Sequence, residues 1–319
     1  MTEPLHQPAL PRQVLEHLIP GYLENRPSGT YVDGTVGQGG HSALLLERLG
    51  PEGFLLGLDR DPAALESATR RLAPYAGRFR LVHARFSELE EVVRAAGIEW
   101  VDGVLLDTGL SRDQLLDPAR GFSFDSRGFS MKMDPGEPGP DLAEIVNHYS
   151  VEQLQGIFSL LGRARDARRV ARAIVASREG RRALASTADL AALIAATVGT
   201  PGDRGKQRHP ATPWVMCLRI AVNNELEEIR RGLQAAVRVL RPGTGRLVVL
   251  TWAGHEHGLV RQTFRSLQQP CTCPRALPCI CGKQPLIRVL TRQPVAPEED
   301  EIHSNPAVRT CRLQAAVKL

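Results

Sequence analysis

A strand that ends in a glycine-rich turn and runs straight into a helix leaves a chain few folds to choose from, and residues 30–41 have that form. Thr30-Tyr31-Val32-Asp33 reads as a short strand, Gly34-Thr35-Val36-Gly37-Gln38-Gly39-Gly40 as the turn, and the helix begins near His41 and runs through Leu44, Leu45 and Leu49. Glycines at such a turn let the backbone approach a ligand and take dihedrals closed to other residues. The next strand, Phe54-Leu55-Leu56-Gly57-Leu58-Asp59, ends on a carboxylate about 20 positions after the turn, where it can accept hydrogen bonds from ribose hydroxyls. The dinucleotide pattern G-x-G-x-x-G fails, because its last position counted from Gly37 is Ser42. The looser glycine pattern fits a methionine-adenosine ligand, which has no pyrophosphate to seat on the helix end. A plain tight turn is the alternative.

The same rhythm continues. Residues 80–83 and 101–107 read as the third and fourth strands, 246–251 as a fifth, and 286–290 and 311–317 as closing strands. Strands alternating with helices imply parallel pairing through crossover helices and an α/β layer fold. Residues 108–140, rich in Gly, Ser, Asp and Pro, are too long for an ordinary connection and read as a functional loop. Residues 141–197 have a purely helical pattern, and residues 214–240 read as one helix with Leu218, Val222, Leu226, Ile229, Leu233 and Val237 on one stripe. The expected division is a first domain part over 1–137, an inserted helical substrate-binding subdomain over 138–205 and a second domain part over 206–319.

Composition excludes some classes. With 319 residues, 42% of them hydrophobic, a sizeable core is available and disorder is not the default. No apolar run approaches the length of a membrane span, and the start lacks a charged-then-apolar signal pattern, so a cytoplasmic location away from membranes is expected. The net charge of +5 is mild, but its distribution is not. Arg163, Arg165, Arg168, Arg169, Arg172, Arg178, Arg181 and Arg182 crowd one segment against only Asp166 and Glu179. Arg165, Arg168, Arg169 and Arg172 fall on one helix face, opposite Ala167, Val170, Ala171, Ile174 and Val175, and are candidates for phosphate contact; a merely solvated face is the alternative. Cys271, Cys273, Cys279 and Cys281 could supply a tetrahedral zinc site, but C-x-C is tighter than the usual C-x-x-C spacing. The reading adopted is a proline-rich loop with reduced thiols and no metal.

Several further runs are more specific. They are Asp59-Arg60-Asp61-Pro62, Asp102-Gly103, Asp107, Gln114, Arg120-Gly121-Phe122-Ser123-Phe124 and Met131-Lys132-Met133-Asp134. His209-Pro210-Ala211-Thr212, Leu218-Arg219-Ile220-Ala221-Val222-Asn223, the cysteine-rich segment and Asn305-Pro306 follow in order, and His6-Gln7-Pro8 stands near the start. With the glycine turn, these make the chain resemble the RsmH (MraW) ribosomal small-subunit RNA methyltransferases over nearly its whole length. The resemblance implies a Rossmann-like class I S-adenosylmethionine-dependent methyltransferase with an inserted all-α subdomain. It implies N4-methylation of a cytosine in 16S rRNA, with 16S rRNA or the small ribosomal subunit as partner; a homodimer is left open. It also implies cofactor contacts from Gly39, Gly40, His41, Asp59, Phe86, Asp107 and Gln114.

Methyl transfer from a sulfonium is an in-line displacement, so the protein chiefly positions donor and acceptor. An acceptor on the cytosine amine would localise its lone pair and receive the departing proton, and Asp107, ending the fourth strand, is the candidate catalytic residue besides holding the cofactor. Phe122, Phe124 and Phe129 could stack on a splayed base, or pin the loop to the core. Arg120, Lys132 and His209, in the motifs that carry the resemblance, join Phe122, Phe124 and the four helix arginines as candidate substrate contacts. Phe86 could lie against adenine or be a core aromatic. The chain departs from the family at Ser130 and at Thr251-Trp252-Ala253-Gly254-His255-Glu256-His257-Gly258, which leaves open a changed nucleic-acid acceptor or a non-catalytic, cofactor-binding paralogue.

Overall fold

The computed structural model describes residues 8–21, 27–180, 183–199, 209–274 and 280–319. His6, Gln7, Arg181, Arg182 and Cys279 lie outside them. In chain order the elements begin with α1 (Pro11–Leu18), β1 (Thr30–Asp33), α2 (Gly40–Arg48), β2 (Phe54–Asp59), α3 (Pro62–Leu72), β3 (Phe79–His83), α4 (Leu89–Ala95) and β4 (Gly103–Asp107). Six helices follow: α5 (Arg112–Leu116), α6 (Leu142–His148), α7 (Val151–Phe158), α8 (Ala164–Glu179), α9 (Thr187–Val198) and α10 (Thr212–Asn223). The chain ends with α11 (Glu225–Val239), β5 (Arg246–Thr251), α12 (Gly254–Gln268), β6 (Ile287–Val289), α13 (Glu299–Ser304) and β7 (Arg312–Lys318). These fall into two compact units, one of Met1–Gly109 with Leu226–Leu319 and one of Leu110–Glu225.

The first unit is built on a seven-stranded sheet of order β3-β2-β1-β4-β5-β7-β6. β1 to β5 are parallel, and β7 runs antiparallel to both β5 and β6. This is a Rossmann-like sheet whose strand order reverses between β1 and β4. The central strands read as continuous apolar runs because helices cover both faces. Alternation sorts their side chains. Val32, Leu56, Leu58, Val104, Leu106, Leu247 and Val249 pack with Leu89 and Val93 of α4, Ile229 and Leu233 of α11, and Val260 and Phe264 of α12. Tyr31, Leu55, Leu105, Val248 and Leu250 point the other way, onto Val14 and Leu18 of α1 and Leu45 and Leu46 of α2.

The second unit is helical. Leu142, Ile145, Leu154, Phe158, Val170, Ile174, Leu190, Ile194, Trp214 and Leu218 share one apolar cluster. Phe158 meets Trp214 edge to face, with ring centroids 5.3 Å apart. The expected subdomain over 138–205 lies within this unit, which also takes in the loop before it and α10 after it. The loop is anchored rather than free: Phe122, Met131 and Met133 are buried in the helical cluster. Met131 has φ +58, a left-handed conformation that costs an ordinary residue about 1–2 kcal/mol. Asn223 holds it there, donating from Nδ2 to the Met131 carbonyl at 2.7 Å and accepting from the Met133 amide at 2.8 Å.

One expected element divides. Residues 214–240 form two helices, because Asn224 takes φ +51 and caps α10 before α11 starts at Glu225. The apolar stripe continues through the break, which is why periodicity alone reads one helix.

Candidate active site

Three neighbouring strands of the first unit each end in an aspartate: β1 in Asp33, β4 in Asp107 and β2 in Asp59. The carboxyl ends of strands at an order reversal are where open α/β sheets place their ligands. The turn after β1 brings backbone there. Gly37 has φ +53 and Gly39 has φ +77. A Cβ on Gly37 would have only the Thr35 carbonyl oxygen within reach, at 4.0 Å, so the space over that bend is open. Gly34 is needed for a different reason: a Cβ would stand 2.6 Å from Leu106 Cδ2 and 3.1 Å from Phe86 Cβ.

Each carboxylate is fixed by a separate set of donors. Asp59 accepts the Gly37 amide on Oδ2 at 2.7 Å and the Asp61 amide on Oδ1 at 2.8 Å, so the acidic residue of the second strand is tied to the glycine bend itself. Burial nevertheless pushes its carboxyl up from 3.8 to about 6, against the pull of those two amides. Asp33 is deeper. It accepts the Thr35 amide at 3.1 Å and the Ser42 hydroxyl at 2.7 Å, and burial raises it too, with the Ser42 hydroxyl working in the opposite sense. Asp107 accepts the Trp252 indole N–H on Oδ1 at 2.9 Å, while its amide donates to Thr35 Oγ1 at 2.6 Å. Its Oδ2 lies 3.7 Å from His41 Nε2. That nitrogen is buried and has no hydrogen-bond partner among the described residues.

Trp252 is positioned in turn by Glu256 of α12. This glutamate is 1% exposed and accepts the amides of Trp252 and Ala253 at 2.8 and 3.2 Å. The segment after β5 therefore builds a support for Asp107. Thr35, Ser42, Trp252 and Glu256 were not among the expected site residues. Trp252 stands 145 positions from Asp107 in sequence, and only the parallel register that sets Asp107 opposite Leu250 brings it near.

Three acidic groups close together suit a cation and repel a pyrophosphate. Asp107 opposes the ionisation of Asp33, and Asp33 opposes that of Asp59. A ligand carrying a sulfonium and an ammonium would relieve that repulsion. The residues present fit such a group: an open glycine bend, a buried imidazole nitrogen with no partner among the described residues, and a carboxylate with lone pairs to spare for ribose hydroxyls.

The remaining expected residues lie as follows. Gly40 and His41 open α2. Phe86 lies against α11, where a Cβ on Gly232 would stand 2.3 Å from Phe86 Cδ2, and it packs on the core cluster with its Cβ beside Gly34. Gln114 belongs to the second unit, and its side-chain oxygen accepts the Ser111 amide at 3.0 Å as the cap of α5. In the same unit Arg120 donates to the carbonyls of Lys132 and Met133 at 3.1 and 2.6 Å, so this guanidinium braces the loop. Lys132 Nζ donates to the Glu137 carbonyl at 2.6 Å. Phe122 is buried in the helical cluster, and Phe129 packs at its edge. Phe124 is half-buried with its ring 4.7 Å from that of His209. Arg165, Arg168, Arg169 and Arg172 are all exposed on one side of α8, and Ala167, Val170, Ala171 and Ile174 are fully buried on the other. Arg169 reaches Asp166 at 3.5 Å, and the other three form no ion pair among the described residues.

Comparison with known proteins adds a family. The model of the MraW methylase family matches residues 3–319. A relative from Geobacter sulfurreducens named ribosomal RNA small subunit methyltransferase H is 44% identical over 98% of this chain and 99% of its own length. Relatives of the same name from Trichlorobacter lovleyi and Thermomicrobium roseum are 41% and 44% identical, over 100% and 98% of this chain and 100% and 94% of their own lengths.

Proposed function

The chain belongs to the MraW methylase family, and on that footing we propose that it transfers a methyl group from S-adenosylmethionine to the exocyclic N4 of a cytosine in 16S rRNA of the small ribosomal subunit. The observation that carries the donor half is the triple aspartate edge beside the glycine bend, which matches a cationic nucleoside and not a dinucleotide. The acceptor half is supported by the name shared by relatives aligned over almost the whole chain.

When bound, the donor supplies a methyl carbon already activated by a positive sulfur. Asp59 would take the ribose hydroxyls on the lone pairs its two amide donors leave over. Gly39 and Gly40 would pass the adenosine close to backbone, with His41 Nε2 turned toward the same space and Phe86 bordering it. Asp107 has one oxygen spent on the Trp252 indole. Its other oxygen is available to accept an N–H of the acceptor amine, which localises the amine lone pair and gives the departing proton a place to go. The second unit would supply the RNA contacts, with the α8 arginines on phosphates and Phe124 beside His209 as a stacking surface.

The test is incubation of the protein with labelled donor and small-subunit RNA, naked or assembled, followed by mapping of the labelled base. Label on a cytosine N4 is expected, with Asp59→Ala weakening donor binding by an order of magnitude or more. Label on another atom would overturn the acceptor assignment. Donor binding that Asp59→Ala leaves untouched would overturn the pocket.

A further inference from the structure

We infer that Cys271, Cys273 and Cys281 form a thiolate site for zinc on the connection between α12 and β6. Their sulfur atoms all lie within 4.8 Å of one another. Sulfurs held tetrahedrally at about 2.3 Å from zinc stand about 3.8 Å apart, so the cradle needs only a small contraction to close on the ion, and three thiolates leave one position for a fourth donor.

What surrounds the thiols argues that burial does not bring them together. Among the described residues of 271–286 none is buried, and Ile280 is 92% exposed. At the base of the segment the Leu286 amide donates to the Leu267 carbonyl at 2.9 Å and the Val289 amide to Gln268 Oε1 at 2.7 Å. Farther out, the Lys283 ammonium reaches Thr272 Oγ1 only at 3.5 Å. Fixing a loop of this length costs about 1–2 kcal/mol of backbone entropy per residue, and no apolar burial among its described residues offsets it. A metal crosslink would.

The donor set also selects the ion. Residues 269–286 contain no Asp or Glu, so a hard cation finds no carboxylate there, whereas thiolates suit a soft or borderline one. Arg275 and Lys283 are the only charged residues of the stretch, and positive neighbours favour the thiolate form that binds metal. The left-handed turn at Gly282, φ +62, lets the chain turn back directly after Cys281.

The full-length protein, purified under reducing conditions without chelator, is expected to carry about one zinc per chain by elemental analysis. Mercurial modification of the thiols should release that zinc. Replacement by cobalt should give the thiolate charge-transfer absorption and intense visible bands of a tetrahedral site. The combined variant Cys271→Ser, Cys273→Ser and Cys281→Ser should lose nine-tenths or more of the metal. Its calorimetric melting and its donor binding report separately that the sheet has folded, so a misfolded variant is recognised, and Cys273→Ser alone then serves as the second variant. Protein that holds no zinc and takes up neither zinc nor cobalt would overturn the site. So would a variant that keeps wild-type zinc, a disulfide between any two of the three thiols, or iron in place of zinc. None of these readouts depends on methyl transfer.

Discussion

At the scale of single residues, Asp59 makes a pH-dependent prediction. Its carboxyl titrates at about 6 in the folded chain against 3.8 in its ordinary state. A raised acid binds its proton more tightly when folded, so the stability it contributes is full below about 4 and is lost as the pH rises through about 6. Ligand binding has the opposite sense, because a ribose hydroxyl needs the charged acceptor. Donor affinity should therefore fall several-fold as the pH drops through about 6, and Asp59→Asn should flatten that profile. Calorimetric titration at several pH values checks it, and an unchanged affinity in acid would remove Asp59 from the pocket. Trp252 acts on the second carboxylate. Trp252→Phe keeps most of the ring and removes a hydrogen bond to a charged group, worth about 1.5–3 kcal/mol. Turnover at saturating donor should fall roughly ten- to a hundredfold, with the fold intact by circular dichroism.

At the scale of elements, the loop and α10 stand or fall together. Asn223 serves the Met131 carbonyl and the Met133 amide while buried itself. Asn223→Ala leaves both without their partner and removes the clasp on a left-handed Met131, so a destabilisation of about 3 kcal/mol is expected. Urea denaturation measures it, and a change below about 1 kcal/mol would mean that the loop holds itself. The same helix shows what sequence makes legible. β1, β2 and β5 could be read to the residue because their apolar runs are bounded by turn residues and acids. The break at Asn224 was hidden by a stripe that runs on through Leu226 and Ile229, although an Asn-Asn pair is itself a cap signal. The aspartate edge and glycine bend were legible because they sit at strand ends. The Trp252 support was not, since it depends on register between strands far apart in sequence. That Arg120 donates to the Lys132 and Met133 carbonyls was not legible either, since a loop arginine in a motif gives no sign of its backbone partners.

At the scale of the whole molecule, the proposed donor and RNA contacts fall in different units. The three aspartates belong to the first, and the arginine face of α8 to the second. Replacing Arg165, Arg168, Arg169 and Arg172 together by Gln should weaken RNA binding and lower the slope of log affinity against log salt by about 0.7–0.9 for each phosphate no longer neutralised. The same variant should leave donor affinity within about twofold, which filter binding and calorimetry can check side by side. An unaltered salt slope would assign that face to solvent.

The order of the strands has a last implication, for how the protein is made. β4 pairs with β1 on one side and with β5 on the other, and β5 lies beyond the entire helical unit in the chain. While a ribosome is still translating residues 110–225, the nascent sheet can hold at most four strands, with β4 as a bare edge of unpaired amides and apolar flanks. Until Arg246–Thr251 emerges to cover it, this half-built sheet offers a docking strip to any passing strand, and the window in which the newborn chain must be shielded from aggregation is set by the length of its own insertion.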